Sequence, residues 1–118
     1  MSKLNSRMIW VTFQRAGIHH YPGAPEDVSY LRYPHRHIFK FKVSIDVLHE
    51  NREIEFHQFL NWLESLFTKG TLTLDYQSCE MISDNLYEKI QNEYPGRKVI
   101  IEISEDGECG SVSEYIPE

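Results

Sequence analysis

Hydrophobic and polar residues alternate most regularly between His35 and Val47. One set of alternate positions comprises His35, His37, Phe39, Phe41, Val43, Ile45 and Val47, and the set between them comprises Arg36, Ile38, Lys40, Lys42, Ser44 and Asp46. Because successive side chains of a strand point to opposite faces, this pattern predicts a strand whose first set is covered and whose second set is largely in water. An antiparallel sheet with one covered face has this pattern.

Two further segments are predicted to be strands, Met8 to Gln14 and Lys98 to Glu105, because both alternate in the same way. Residues 71–74 and the tail after residue 105 are at most short extended pieces. The stretch from Ala16 to Pro34 is interrupted by glycine and proline and is predicted to be a long functional loop.

Two helices are predicted between the strands. The first carries apolar residues at spacings of three and four, namely Phe56, Phe59, Leu60, Leu63, Leu66 and Phe67. The second begins after Ser78 as N-cap and ends before Pro95. This order of elements predicts a single α+β domain over residues 1–118, with both helices on one face of an antiparallel sheet.

Composition narrows the class of function. The chain has 118 residues and a formal net charge of −6, so we do not expect a general nucleic-acid binder, which needs a basic surface. No segment has the length and hydrophobicity of a membrane span. Cys79 and Cys109 do not make a disulfide framework, so we expect reduced thiols and a cytoplasmic protein.

The histidines are the clearest candidate chemistry. His35 and His37 lie two apart on the predicted strand, so both rings project to the same side. A hairpin between the first two strands would bring His19 or His20 to the same point. Three neutral nitrogen ligands with an open fourth position are typical of a catalytic zinc site. An isolated His-x-His is also common among histidines that bind nothing.

The stretch from His20 to His37 resembles the zinc-binding segment of the 6-pyruvoyl-tetrahydropterin synthase and 6-carboxy-tetrahydropterin synthase family. In that family a histidine follows the first strand, and a His-Gly-His opens the second. The resemblance implies zinc held by His20, His35 and His37, with Arg36 in place of the glycine and His19 as the competing first ligand.

The similarity continues in element order along the chain. Ile54-Glu55-Phe56 and Ser78-Cys79-Glu80 resemble the entries to the family's two helices, and Glu80 is a candidate ligand-binding residue on that basis. Ile103-Ser104-Glu105 resembles the strand end where the family's glutamate binds a pterin ring. Glu105 also continues a covered face, where a carboxylate is costly unless paired. A ring edge with two donors, an arginine or solvent would each satisfy it.

The family resemblance also implies a T-fold: a four-stranded antiparallel sheet with two helices on one face, assembled edge to edge into a β-barrel. We therefore expect a homo-oligomer, a trimer or hexamer, because closure removes exposed sheet edges.

Two departures from the family leave open whether the chain is an enzyme. Leu31 stands where the family has its catalytic cysteine, and Asp75 lacks the histidine that follows it there. Zinc-dependent lyase or hydrolase chemistry would then need another proton-transfer group. The weak candidates are Asp75, Cys109 and His19, while Tyr30, Tyr33, Tyr76 and His57 are more remote and Cys79 is expected to pack.

The loop before the second strand contains candidate ligand-binding residues, because Tyr33 can stack on a planar ring while Arg32 and Arg36 can hold a phosphate. Simple packing of the loop explains these residues equally well. The function expected from the sequence is that of a zinc-binding protein that binds or transforms a pterin-like or purine-like small molecule. The alternative is a non-enzymatic protein that sequesters or senses a nucleotide on the same fold.

Overall fold

Five strands form one mixed sheet in the computed structural model, which describes residues 1–118. In chain order the strands are β1 Met8–His19, β2 His35–Asp46, β3 Leu72–Asp75, β4 Val99–Glu105 and β5 Cys109–Tyr115. Their order across the sheet is β3-β1-β2-β4-β5, and all neighbours are antiparallel except β1 and β3. The α+β class is confirmed.

The predicted sheet of four antiparallel strands is corrected in two respects. There are five strands, and β3 pairs in parallel with the end of β1. The hydrophobic pattern did not define two of the strands: β3 has only four residues, and β5 consists mainly of small and polar residues. Such strands are formed by pairing with a neighbour rather than by their own propensity.

Two α-helices, α1 Phe56–Ser65 and α2 Cys79–Glu93, and a 3-10 helix over Glu26–Arg32 complete the fold. The predicted N-cap of α2 is confirmed, since the Ser78 hydroxyl accepts a hydrogen bond from the backbone N–H of Met81 at 3.2 Å. The 3-10 helix lies within the segment that the sequence predicted to be an irregular loop. None of the helices combines the length and the hydrophobicity needed to cross a membrane.

The core lies between the two α-helices and one face of the sheet. The alternation along β2 predicted this face correctly, because Phe39, Phe41, Val43 and Ile45 are all fully buried. The ring of Phe41 stacks on Phe13 of β1 with centroids 4.6 Å apart. Burial of these side chains supplies the main driving force that holds the sheet to the helices.

β1 is five residues longer than the pattern predicted, and this extension positions the candidate site. Every residue from Met8 to His19 pairs with β2, so that His19 lies directly opposite His35. Gly17 lies opposite His37, where a Cβ atom would approach the side chains of Leu74 and Phe39 to 2.8 and 2.9 Å. The absence of a side chain at Gly17 therefore lets Phe39 and Leu74 pack beneath the histidines.

Candidate metal centre

Three histidines meet where β1 ends and β2 begins. His19, His35 and His37 all lie on the covered face, and a ring nitrogen of each lies within 4.8 Å of those of the others. The ring centroids are 4.6 Å apart for His19 and His35, 4.9 Å for His35 and His37, and 5.3 Å for His19 and His37. The three histidines lie close enough to hold a metal ion.

The structure places His19 in this cluster, and His20 lies outside it. His20 follows the end of β1, and its backbone N–H donates to the carbonyl of Asp75 at 2.8 Å. The family spacing implied His20 as the first ligand, with His19 as the competitor, and the structure groups His19 with the other two instead. The predicted strand ended at Gln14, five residues too early to set which histidine faces the core. Once β1 continues to His19, alternation puts His19 on the same face as Val11 and Phe13.

One nitrogen of each ring has a hydrogen-bond acceptor as its partner. Nδ1 of His19 lies 2.9 Å from the carbonyl oxygen of Gln77, and Nδ1 of His35 lies 2.8 Å from that of Tyr33. Nδ1 of His37 lies 2.7 Å from Oδ2 of Asp106. Because carbonyl and carboxylate oxygens only accept, each Nδ1 carries the hydrogen, and each neutral ring is left with a lone pair on Nε2.

The Nε2 atoms have no such partner. Those of His19 and His37 are buried and form no hydrogen bond. Oε2 of Glu105 does lie 3.0 Å from His19 Nε2 and 3.7 Å from His37 Nε2. Neither contact has the geometry of a hydrogen bond, so Glu105 lies beside the two Nε2 atoms without satisfying them. Two buried ring nitrogens therefore lack a hydrogen-bond partner and lie beside a carboxylate, an arrangement that a bound cation would satisfy.

The buried ring of Phe39 forms an apolar floor beneath the histidine cluster. Phe39 is completely buried, and its ring centroid lies 5.2 Å from that of His19 and 5.8 Å from that of His37. His19 itself is only 9% exposed. Side chains held by packing and hydrogen bonds keep their orientation before a metal ion binds, which lowers the entropic cost of metal binding.

Asp106 is a functional candidate that the sequence analysis missed. It follows β4 in a left-handed conformation with φ of 59°, and its Oδ1 accepts the backbone N–H of Ile38 at 2.8 Å while Oδ2 faces His37. The hydrogen bond from Ile38, and then the one from His37, lowers the pKa of Asp106. The Asp106-Gly107 pair is a turn signal that the sequence shows, but only the pairing of β2 with β4 brings Asp106 to His37.

The two cysteines lie in contrasting environments near this end of the sheet. Cys79 is buried at the start of α2, and desolvation, followed by the charge of Glu105, raises the pKa of its thiol to about 12. A neutral buried thiol fits the expectation that Cys79 packs. Cys109 is exposed, and its Sγ lies 4.0 Å from Oε1 of Glu105.

The candidates for ligand binding are only partly brought together. Glu105 lies at the cluster, and Tyr33 beside it has an exposed ring, while its carbonyl holds His35. Arg32 is engaged within its own segment, donating to the Ala24 carbonyl and to Glu26, both at 3.0 Å. Arg36 is exposed on the opposite face of β2 from its two neighbouring histidines.

The remaining candidates are exposed, and their side chains form no hydrogen bond or ion pair with the three rings. Asp75 ends β3 in a left-handed conformation with φ of 54°, and Glu80 lies in the first turn of α2. The side chains of Tyr30 and Tyr76 are exposed, as is His57 in the first turn of α1. Asp75 is the backbone partner of His19 in the pairing of β3 with β1, but its side chain forms no hydrogen bond with the three rings.

Comparison with known proteins adds no family assignment. The chain matches no protein-family model, and a search of curated proteins finds no match to it. What the site does therefore has to be inferred from its own geometry.

Proposed function

We propose that this protein binds a divalent transition metal, zinc by preference, through His19, His35 and His37, and uses the site to bind or transform a pterin-like or purine-like heterocycle. One observation supports the metal above all others. Each of the three rings has an acceptor at Nδ1, and the Nε2 atoms of His19 and His37 are buried without a hydrogen-bond partner. Metal-ligating histidines are oriented in this way by outer-shell carbonyls and carboxylates.

The donor set favours zinc over other abundant cations. Calcium and magnesium prefer oxygen ligands, whereas neutral imidazole suits zinc and its neighbours in the transition series. The carboxylate of Glu105, beside two of the rings, adds the negative charge that stabilises a bound cation. The residues present fit the ion that the family resemblance implies, with His19 in the place expected for His20.

A metal bound here would act as a Lewis acid on an oxygen of a bound molecule. The protein's own residues would bind and orient that molecule. The side chain of Glu105 is 24% exposed, so a ligand can reach it, and no lysine or arginine lies within 4.0 Å of its carboxylate. Its two oxygens match the adjacent N–H and NH₂ donors of a pterin or guanine edge. The exposed ring of Tyr33 lies at the same end of the sheet and offers a stacking surface.

A non-enzymatic nucleotide-binding protein is the second candidate function. This function is favoured because the chain lacks an evident catalytic base. Leu31 stands at the position of the family's catalytic cysteine, and the raised pKa of the Cys79 thiol keeps that thiol neutral. A site that binds metal and ring but lacks a tuned base retains its ligand unchanged.

The metal is tested by elemental analysis of protein purified without an affinity tag or chelator. We expect about one equivalent of zinc per chain in the wild type. His35→Ala and His37→Ala are expected to lose most of it, because two nitrogens cannot hold zinc against cellular competition. His57→Ala is the matched control, since His57 is exposed on α1 and outside the cluster. A wild-type protein that takes up no transition metal, even after incubation with zinc, would contradict the proposal.

The ligand is tested by calorimetry of the zinc-loaded protein against pterins, guanine nucleotides and cyclic nucleotides. Tight binding with the ligand recovered unchanged supports the binding protein, and conversion supports the enzyme. Binding that is equally tight for heterocycles without adjacent N–H and NH₂ donors would contradict the role proposed for Glu105.

The proposed assembly is a homo-oligomer, either a trimer or a hexamer. β5 is an edge strand, and β3 covers only the last three residues of β1, which leaves Met8 to Ala16 unpaired on that side. Two free edges on opposite sides of one sheet allow copies to pair head to tail and close a ring. Size-exclusion chromatography with light scattering is expected to give three or six times the mass of the chain. A monomer at micromolar concentration would rule the assembly out.

A further inference from the structure

The carboxylate of Glu105 lies beside two of the three histidines without a positively charged partner. Its Oε2 is 3.0 Å from His19 Nε2 and 3.7 Å from His37 Nε2, and its Oε1 is 4.0 Å from the sulfur of Cys109. Nδ1 of each of these two rings donates to an oxygen acceptor, so Nε2 is the nitrogen that the neutral ring offers to a metal. A carboxylate oxygen this close to an imidazole nitrogen needs a proton or a metal cation between the two atoms.

The spacing of the Glu105 carboxylate from His19 and His37 suits ligands of one ion. Zinc–nitrogen and zinc–oxygen bonds of about 2.0–2.2 Å place two ligands of a tetrahedral site roughly 3.2–3.6 Å apart. The two measured separations from Oε2, 3.0 and 3.7 Å, lie just either side of that range. Glu105 also lies at the end of β4, two strands from His19, so it approaches the cluster from a side that no histidine occupies.

We propose that Glu105 is the fourth protein ligand of the metal while no small molecule is bound. This inference rests on the proposed function, since it requires that the three histidines bind a metal. With Glu105 in place the ion has four protein ligands and no position open to solvent, as in a closed zinc site. The same carboxylate is the proposed anchor for the donor edge of a heterocycle, so the metal and the heterocycle compete for it.

This competition makes metal access dependent on the ligand. A heterocycle with adjacent N–H and NH₂ donors draws Glu105 away from the metal, and one coordination position opens as the ring is bound. A molecule without that donor edge leaves Glu105 on the metal and the site closed. Glu105 therefore selects for ligands that combine the donor edge with an oxygen that takes the vacated position.

Cobalt(II) in place of zinc tests the inference without any assay of activity, because its visible absorption reports coordination. The wild-type protein loaded with Co²⁺ is expected to show a four-coordinate spectrum that millimolar azide does not change. Glu105→Gln, which keeps the shape and removes the charge, is expected to bind Co²⁺ and Zn²⁺ about 10–100-fold more weakly and to respond to azide. Glu108→Gln is the matched control, because it removes an exposed charge from the same turn.

A second variant covers the case in which Glu105→Gln folds poorly. Glu105→Ala leaves a space at the carboxylate position, and added acetate is expected to restore the wild-type cobalt spectrum, whereas acetate has no effect on the wild type. Circular dichroism checks that each variant is folded.

The outcomes separate the two proposals. If the wild type binds Co²⁺ but the spectra and azide responses of wild type, Glu105→Gln and Glu105→Ala agree, Glu105 is not a ligand, and the three-histidine site stands. A variant with weaker affinity but an unchanged spectrum also overturns the inference, since a nearby charge alone produces that result. If the wild type binds no metal at all, the proposed function itself fails.

Discussion

Replacing His19 with alanine is expected to lower the zinc affinity of the protein by at least about 100-fold, whereas His20→Ala leaves it within about threefold. His19 faces the other two rings from the covered side of β1, and the Gln77 carbonyl orients it. His20 contributes a backbone hydrogen bond to Asp75, which alanine preserves. The measurement is competition with a chelator of known zinc affinity, made on both variants and the wild type.

The comparison is sharp because the two residues are adjacent and chemically identical. Any general effect of removing a histidine, on net charge or on weak surface binding of metal, is shared by both variants. Equal losses for His19→Ala and His20→Ala would mean that the histidines hold metal without a defined geometry. A larger loss for His20→Ala would show that the ligand expected from the family spacing is the correct one and that β1 ends differently in solution.

Replacing Phe39 with alanine is expected to lower the free energy of unfolding by about 3–5 kcal/mol, which is a large part of the stability of a domain of this size. The ring is completely buried beneath His19 and His37, and Gly17 leaves room for it on β1. Truncation leaves a cavity that the surrounding strands cannot close without moving the histidines. Urea unfolding of the metal-free protein measures the change, and a fall in the melting temperature of roughly 10–20 °C accompanies it.

The control for this prediction is Val112→Ala. Val112 is 70% exposed on β5, so its truncation is expected to change the free energy of unfolding by less than about 0.5 kcal/mol. Phe39→Leu should lie between the two, because it retains most of the apolar volume. If Phe39→Ala costs less than about 1 kcal/mol, the floor of the histidine cluster is not packed as described. Zinc affinity measured on the folded variant then reports how much that floor contributes to holding the rings in place.

The sequence determined the features that depend on local order. Alternation along residues 35–47 predicted which face of β2 is buried, and with it that His35 and His37 point the same way. The capping serine set the start of α2, and the continuing alternation of β4 put Glu105 on the covered side. These inferences succeeded because a side chain's direction within a strand, or a cap at a helix start, depends on residues only a few positions away.

The tertiary structure decided everything that depends on pairing between distant segments. The length of β1, and so the choice of His19 over His20, follows from its register with β2. The acceptors that orient His19 and His37 come from Gln77 and Asp106, which are 58 and 69 residues away along the chain. The sequence predicted at most a short extended piece at residues 71–74, and only the tertiary structure makes it a parallel strand beside the end of β1. Contacts of this kind form only when hydrophobic burial has brought the elements together, so no local pattern in the sequence encodes them.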